Sequence, residues 1–175
     1  GGKGWLYEGG IREPFLIRWP GVTRAGSTSD VPVVSMDFYP TILELAGLPA
    51  RPEQHQDGVS LSGILRGDGV PNRDALYWHY PHYSNQGGIP GGAIRQGDWK
   101  LIQRFEDGRV HLYNLKNDIS ERHDLAKQEP QRVNDMRRKL QSWYQKSSNN
   151  KKEHVLAKVL FNYIYYNGEK YFDPI

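Results

Sequence analysis

Apolar and polar positions change period near residue 75. Downstream, the pattern is that of a sheet. Residues 75–80 are aromatic and strand-like, and residues 93–95, 99–105 and 109–115 read as three more strands. Trp99, Leu101 and Phe105 alternate with Lys100 and Arg104, as a strand with one buried face requires, although Ile102 and Gln103 blur the alternation. Asp107-Gly108, between the last two runs, is a strong hairpin signal. Pro130 then opens a helix. Val133, Met136, Leu140 and Trp143 recur at steps of three, four and three and give it one apolar side, suited to lie across the sheet.

Upstream, the elements are shorter. Phe15-Leu16-Ile17-Arg18-Trp19, bounded by Pro14 and Pro20, reads as a buried strand, and residues 31–34 as a second extended run. A helix follows with Asp37 as N-cap and Pro40 in its first turn, where a missing N–H costs nothing. Phe38, Ile42, Leu45 and Ala46 form its expected apolar face, and Gly47, with Pro49 beyond, its expected stop. Leu61, Ile64 and Leu65 suggest one or two further helical turns. The opening is different: Gly1, Gly2, Gly4, Gly9 and Gly10 put five glycines into ten residues. Such a stretch suits backbone that bends sharply or comes close to a ligand, not a stable helix or a plain strand. A polar linker over 146–153 leads to a tail rich in Tyr, Val, Leu and Ile.

Composition narrows the classes. The 175 residues suffice for one ordinary domain with a sizeable core. The chain opens on Gly1-Gly2 without Met, which reads as a fragment, a processed product or an engineered piece. Net charge is +3 from 23 basic and 20 acidic residues with mixed signs along the chain, which argues against a nucleic-acid partner. Arg137-Arg138-Lys139 reads as a solvated helix face. With no cysteine there is no disulfide and no thiolate metal site. No apolar run reaches the ~18 residues of a membrane span, and no signal peptide is visible.

Three segments together resemble the type I sulfatases. The first is Lys3-Gly4-Trp5-Leu6-Tyr7-Glu8-Gly9-Gly10-Ile11-Arg12-Glu13-Pro14, similar to the family's Lys-Gly…Glu-Gly-Gly-x-Arg-x-Pro signature and followed by Ile17-Arg18-Trp19-Pro20-Gly21. The second is Met36-Asp37-Phe38-Tyr39-Pro40-Thr41-Ile42-Leu43-Glu44-Leu45-Ala46-Gly47, with Asp57-Gly58-Val59-Ser60-Leu61 downstream. The third comprises Arg95-Gln96-Gly97-Asp98-Trp99-Lys100-Leu101, Leu112-Tyr113-Asn114-Leu115, and the run from Asp118 to Ala126, where the family usually has Asn in place of Asp124.

The resemblance implies an α/β enzyme of the alkaline phosphatase superfamily, seen here through its C-terminal portion, which taken alone is α+β. Residues 1–74 would be the end of the large catalytic domain. Residues 75–147 would be the small antiparallel sheet packed on a helix, and residues 148–175 match no family pattern. It implies hydrolysis of sulfate monoesters, on a sulfated glycan or an aryl sulfate, in the periplasm or outside the cell. It also implies calcium and a formylglycine nucleophile made from Cys or Ser in Cys/Ser-x-Pro-x-Arg. Neither that motif nor the family's calcium-binding Asp residues occur in this sequence, so the 175 residues alone are expected to be inactive. Two alternatives are a phospho- or phosphonate-ester hydrolase of the same superfamily and a non-catalytic piece that binds sulfated glycans.

Lys3 is the principal candidate site residue. A fixed ammonium stabilises charge that develops on sulfate oxygens, and glycines on both sides allow close approach. In the family the Lys of this signature binds the sulfate. Glu8 and Arg12, four residues apart around Gly9-Gly10, are expected to shape the loop rather than touch substrate. His79 and His82, in Trp78-His79-Tyr80-Pro81-His82-Tyr83, are candidates for hydrogen bonding a sugar or sulfate. Metal binding by the pair is disfavoured by Pro81 and the lack of a third ligand. Residues 85–92, rich in Gly and Pro, could border the cleft or equally form a plain surface loop.

Overall fold

The computed structural model describes residues 1–150, with side chains through 147. The expected tail over 148–175 lies outside them, apart from the backbone that ends the last helix. Two compact units are present: Gly1–Ile11 together with the chain from Ala75 onward, and Arg12–Asp74. The division at residue 75 therefore does not separate the glycine-rich opening from the sheet, as a single cut at that point would.

The first unit is a four-stranded antiparallel meander, β1 (Leu76–Tyr80), β2 (Gly91–Gln96), β3 (Trp99–Arg104) and β4 (Val110–Asn114), in sequence order. The long helix α4 (Pro130–Asn150) packs on one face, an α+β arrangement. Gly108 adopts a left-handed φ of 65° between β3 and β4, which is why the hairpin places glycine there. Ile94, Leu101 and Leu112 stand side by side in register and meet Met136 and Leu140 of α4 in one buried cluster. Tyr77 stacks on Trp143 at 5.2 Å, and the Arg132 guanidinium sits 4.1 Å over the Trp99 ring. Each buried aliphatic in this cluster contributes about 1.5–3 kcal/mol before entropy is subtracted.

The other face of the sheet is covered as well. Ala93, Ile102, Tyr113 and Leu115 form a second buried cluster, and Leu6, Tyr7 and Trp78 pack against it. Gly1–Ile11 belongs with the sheet for this reason. The outer edge of β4 is tied off by residues 124–125: Leu125 N–H donates to Leu112 O at 2.8 Å, and Leu112 N–H donates to the Asp124 carboxylate at 3.0 Å.

In the second unit, α2 (Phe38–Leu45) follows a 3₁₀ turn over Ser35–Asp37, and α3 (Ser62–Arg66) comes later. Helix α2 ends as its glycine requires. Gly47 takes φ 68°, its N–H reaches Glu44 O at 3.0 Å, and Leu48 N–H reaches Leu43 O at 2.9 Å, a Schellman closure. The expected apolar face is reversed: Ile42 is 61% exposed and Phe38 is exposed too, whereas Pro40, Thr41 and Leu43 are buried. Asp37 decides this. Fully buried, it does not cap α2 with its side chain. Its carboxylate instead takes N–H bonds from Val34 and Val59 and a bidentate bond from Arg73. Residues 15–19 form no strand in this unit, and Leu16 is 92% exposed. No neighbouring strand among the described residues accepts their backbone bonds.

Candidate functional site

Lys3 stands exposed in a turn, and the loop beneath it is held by its own backbone. Trp5 N–H donates to Gly2 O at 3.2 Å, and the N–H groups of Gly10 and Ile11 converge on Tyr7 O at 2.8 and 3.2 Å. The chain closes on itself so tightly that side chains are excluded. A Cβ at Gly9 would lie 2.0 Å from Gly1 O, and one at Gly10 would lie 2.2 Å from Trp5 O. The glycines thus allow backbone to meet backbone. They also admit a single helical turn, α1 (Glu8–Ile11), where composition had argued against helix.

The loop over 84–88 packs on this one. Ser84 N–H bonds to Gly88 O at 2.7 Å, the Trp5 indole N–H donates to Gln86 O at 3.2 Å, and a Cβ at Gly88 would lie 1.8 Å from Gly4 O. Residues 84–88 therefore border the Lys3 loop.

An ion cluster lies under α1. Lys100 is 0% exposed, against the expectation that its face of β3 is solvated. Its Nζ lies 2.8 Å from Glu8 Oε1 and 2.9 Å from Glu121 Oε1, and Glu8 Oε2 lies 4.0 Å from Arg95 Nη1. Arg95 and Lys100 are directly opposite on adjacent strands, a pairing of like charges that is unfavourable by itself. Glu8 and Glu121 bring two negative charges to these two positive ones. Glu121 Oε2 also accepts the Glu8 N–H at 2.7 Å. Glu121 takes φ 54°, unusual for a residue with a side chain. The turn that imposes this is held by Asp118, whose carboxylate accepts the N–H groups of Arg122 and His123, both at 2.8 Å. Those bonds, from His123 first, hold the Asp118 carboxyl below its ordinary range.

Beside the cluster, the Tyr7 hydroxyl shares a 2.6 Å hydrogen bond with His111 Nδ1, and the Tyr7 and Tyr113 rings meet edge-on at 6.1 Å. Burial raises the pKa of the Tyr7 phenol, and the negative charge of Glu121 adds to the effect. Tyr113 is raised by burial too, then by Tyr7.

His79 lies apart from the loop that carries Lys3. His79 alternates with Trp78 onto the helix side of β1, its ring 5.0 Å from Tyr144 and 5.5 Å from Phe105, whereas Leu6 and Tyr7 occupy the opposite face. His82 follows β1, exposed, with its ring edge-on to Tyr80 at 5.8 Å. It precedes the 84–88 loop that packs on the residues next to Lys3. Lys100, Glu121 and Arg95 were missed as site-shaping residues. The signal was Ile102: it shares a face with Lys100, so that face could not be simply solvated.

Among the described residues no three His, Cys, Asp or Glu side chains converge as a group that could hold a metal ion. No helix among them is long and apolar enough to cross a membrane.

Fold and site define an α+β module that presents a lysine on a glycine-folded loop. Residues 2–150 match the family described as N-sulphoglucosamine sulphohydrolase, C-terminal, and the chain belongs to this family of sulfatase C-terminal regions. It is 37% identical over 161 residues to a sulfatase of Formosa agariphila, covering 83% of this chain and 29% of that protein. To the N-acetylglucosamine-6-O-sulfatase of Bacteroides thetaiotaomicron it is 34% identical over 128 residues, covering 70% of this chain and 23% of that protein. A solved structure in complex with its substrate, D-glucosamine-2-N,6-O-disulfate, superposes with a TM-score of 0.65 at 28% identity, over 76% of this chain and 28% of the other. The chain thus spans under a third of the length of these relatives.

Proposed function

We propose that the protein to which this chain belongs hydrolyses sulfate monoesters of a sulfated carbohydrate, and that Lys3 binds the sulfate group. The observation that carries this is Lys3 itself: an exposed ammonium with no ion-pair partner among the described residues, on a backbone fixed from below. As the ester bond breaks, negative charge grows on the leaving oxygen and stays on the sulfuryl oxygens. A preorganised cation facing those atoms stabilises that charge more than it stabilises the bound ester. His82 is assigned a hydrogen bond to a sugar hydroxyl or sulfate oxygen. His79, packed against Phe105 and Tyr144, is the weaker candidate for such a contact. The nucleophile, calcium and its ligands belong to other parts of the protein. A compartment outside the cytoplasm suits a sulfated glycan substrate.

The similar protein's bound substrate, a glucosamine N- and O-sulfate, supports an amino-sugar sulfate as first choice. The test is hydrolysis by the full-length protein of a sulfated glucosamine, of 4-nitrocatechol sulfate and of an aryl phosphonate monoester. Sulfate release from the sugar with the highest kcat/KM is expected, and none from the 175 residues alone. Preference for the phosphonate by tenfold or more would move the protein to the other hydrolase class. Glycan binding without turnover of any ester would leave a binding module.

A further inference from the structure

We infer that Lys100 is a positioning residue for Lys3: through Glu8 it sets the height and direction of the loop that carries the sulfate-binding ammonium. The inference rests on the function proposed above for Lys3.

The mechanical path is short. Lys100 leaves β3, the strand between two others, so its Cα is fixed by pairing on both sides. Its fully buried Nζ grips Glu8 Oε1 at 2.8 Å. Glu8 is the first residue of α1, and its N–H is held from the other side by Glu121 Oε2 at 2.7 Å. Both the side chain and the backbone of Glu8 are therefore fixed by one cluster. The next two residues, Gly9 and Gly10, are the floor on which the backbone of residues 1–5 lies: an added Cβ would meet Gly1 O at 2.0 Å and Gly2 O at 2.6 Å. A shift of Glu8 must move Gly9 and Gly10, and these must move Gly2 and Lys3, because no slack separates the layers. The reach from strand to ammonium is set by packing of glycine on glycine.

Charge explains why the residue is a lysine. Glu8 is buried, the Glu121 side chain is only 3% exposed, and each contacts Lys100. Met in its place would fill much of the slot but leave two carboxylates near one another without the ammonium between them, and Arg95 stands 4.0 Å from Glu8. Burying unpaired charge is strongly destabilising. Lys100→Met alone therefore mixes two effects, folding and positioning, and a second change is needed to separate them. Lys100→Met with Glu121→Gln restores charge balance between Glu8 and Arg95, and the Gln oxygen still accepts the Glu8 N–H. The tie from Glu8 to β3 stays broken.

The experiment uses the full-length protein with sulfated glucosamine. The double variant is expected to keep its thermal midpoint within about 5 °C of wild type. Its kcat is expected to fall roughly ten- to hundredfold, with KM changed less than threefold, because a sub-ångström displacement of a charge stabiliser costs most in the transition state. A purely structural cluster predicts the opposite: recovered stability would bring recovered kcat. Wild-type kcat within threefold in the folded double variant overturns the inference. Should the wild type turn over no sulfate ester, the functional reading fails, and the positioning is read by amide exchange instead. Tenfold faster exchange at Trp5, Gly10 and Ile11 in the double variant supports the tie from Lys100 to the loop, and unchanged exchange there overturns it.

Discussion

The Arg73 guanidinium holds both oxygens of the Asp37 carboxylate, each at 2.7 Å, from a position 36 residues further along the chain. Asp37 is fully buried, and its other bonds come from Val34 and Val59, so one carboxylate joins four points of the second unit. Arg73→Met leaves that charge buried with N–H donors alone. A loss of about 3–5 kcal/mol is expected for this unit, read as proteolysis between residues 48 and 74 of the full-length variant. Asp37→Asn with Arg73→Met should recover part of it. A single variant as stable as wild type would mean that solvent reaches Asp37.

Lys3→Ala in the full-length protein is expected to lower kcat/KM by two or more orders of magnitude. That equals about 3 kcal/mol of transition-state stabilisation, the usual effect of one preorganised charged donor. Stability should not change, since Lys3 is exposed and has no partner among the described residues. The check is steady-state kinetics beside a thermal melt. Kinetics like wild type would remove Lys3 from the site.

Gly92 and Tyr144 define a tight contact on the helix side of the sheet. A Cβ at Gly92 would lie 1.6 Å from the Tyr144 hydroxyl oxygen, with Tyr144 Cζ at 3.0 Å behind it. That hydroxyl is buried without a hydrogen bond among the described residues, and burial raises its pKa. Gly92→Ala is expected to destabilise by about 1–3 kcal/mol through overpacking. Tyr144→Phe alone should be neutral or slightly stabilising, since it removes an unbonded buried group. The two together should cost less than Gly92→Ala alone. Denaturant midpoints of the four proteins give the coupling, and strict additivity would exclude the contact.

The sheet and the ends of two helices were legible in the sequence because their signals are local. Asp107-Gly108, Gly47 and the spacing of Val133, Met136, Leu140 and Trp143 each fix a turn, a stop or a face within a few residues. Three features depend on distant partners. Ile42 and Phe38 have the right spacing for a buried face, yet the buried side of α2 was chosen by the bonds of Asp37 to Val59 and Arg73. Leu16 and Ile17 read as a strand, and this unit gives them no neighbour to pair with. Lys100 read as solvated because a lone lysine in a strand usually is, and its two carboxylates arrive from residues 8 and 121. Of the candidate site, Lys3 and its glycines were visible as a motif. What fixes the loop was not, since ion pairs across 92 residues leave no local period.

Tyr7 gives the site a dependence on alkaline pH. Burial, followed by the charge of Glu121, raises the phenol above its ordinary value of 10.0. A group whose folded pKa is raised contributes stability that is complete below the unfolded value. That stability is lost as pH climbs from about 10 through the folded value. Tyr113 acts in the same sense and beside it, so the two should loosen the hold of Gly1–Ile11 on the sheet together. Tyr7→Phe removes one of these protons and the 2.6 Å bond to His111, at a cost of about 1 kcal/mol near neutrality. The difference in denaturant midpoint between wild type and Tyr7→Phe is therefore expected to shrink between pH 8 and pH ~11, as the wild-type phenol begins to ionise. Protection of the amides from Glu8 to Ile11, taken relative to the intrinsic hydroxide-catalysed rate at each pH, should fall over the same interval in the wild type. A midpoint difference that stays constant with pH would mean that the Tyr7 phenol is not held by the fold.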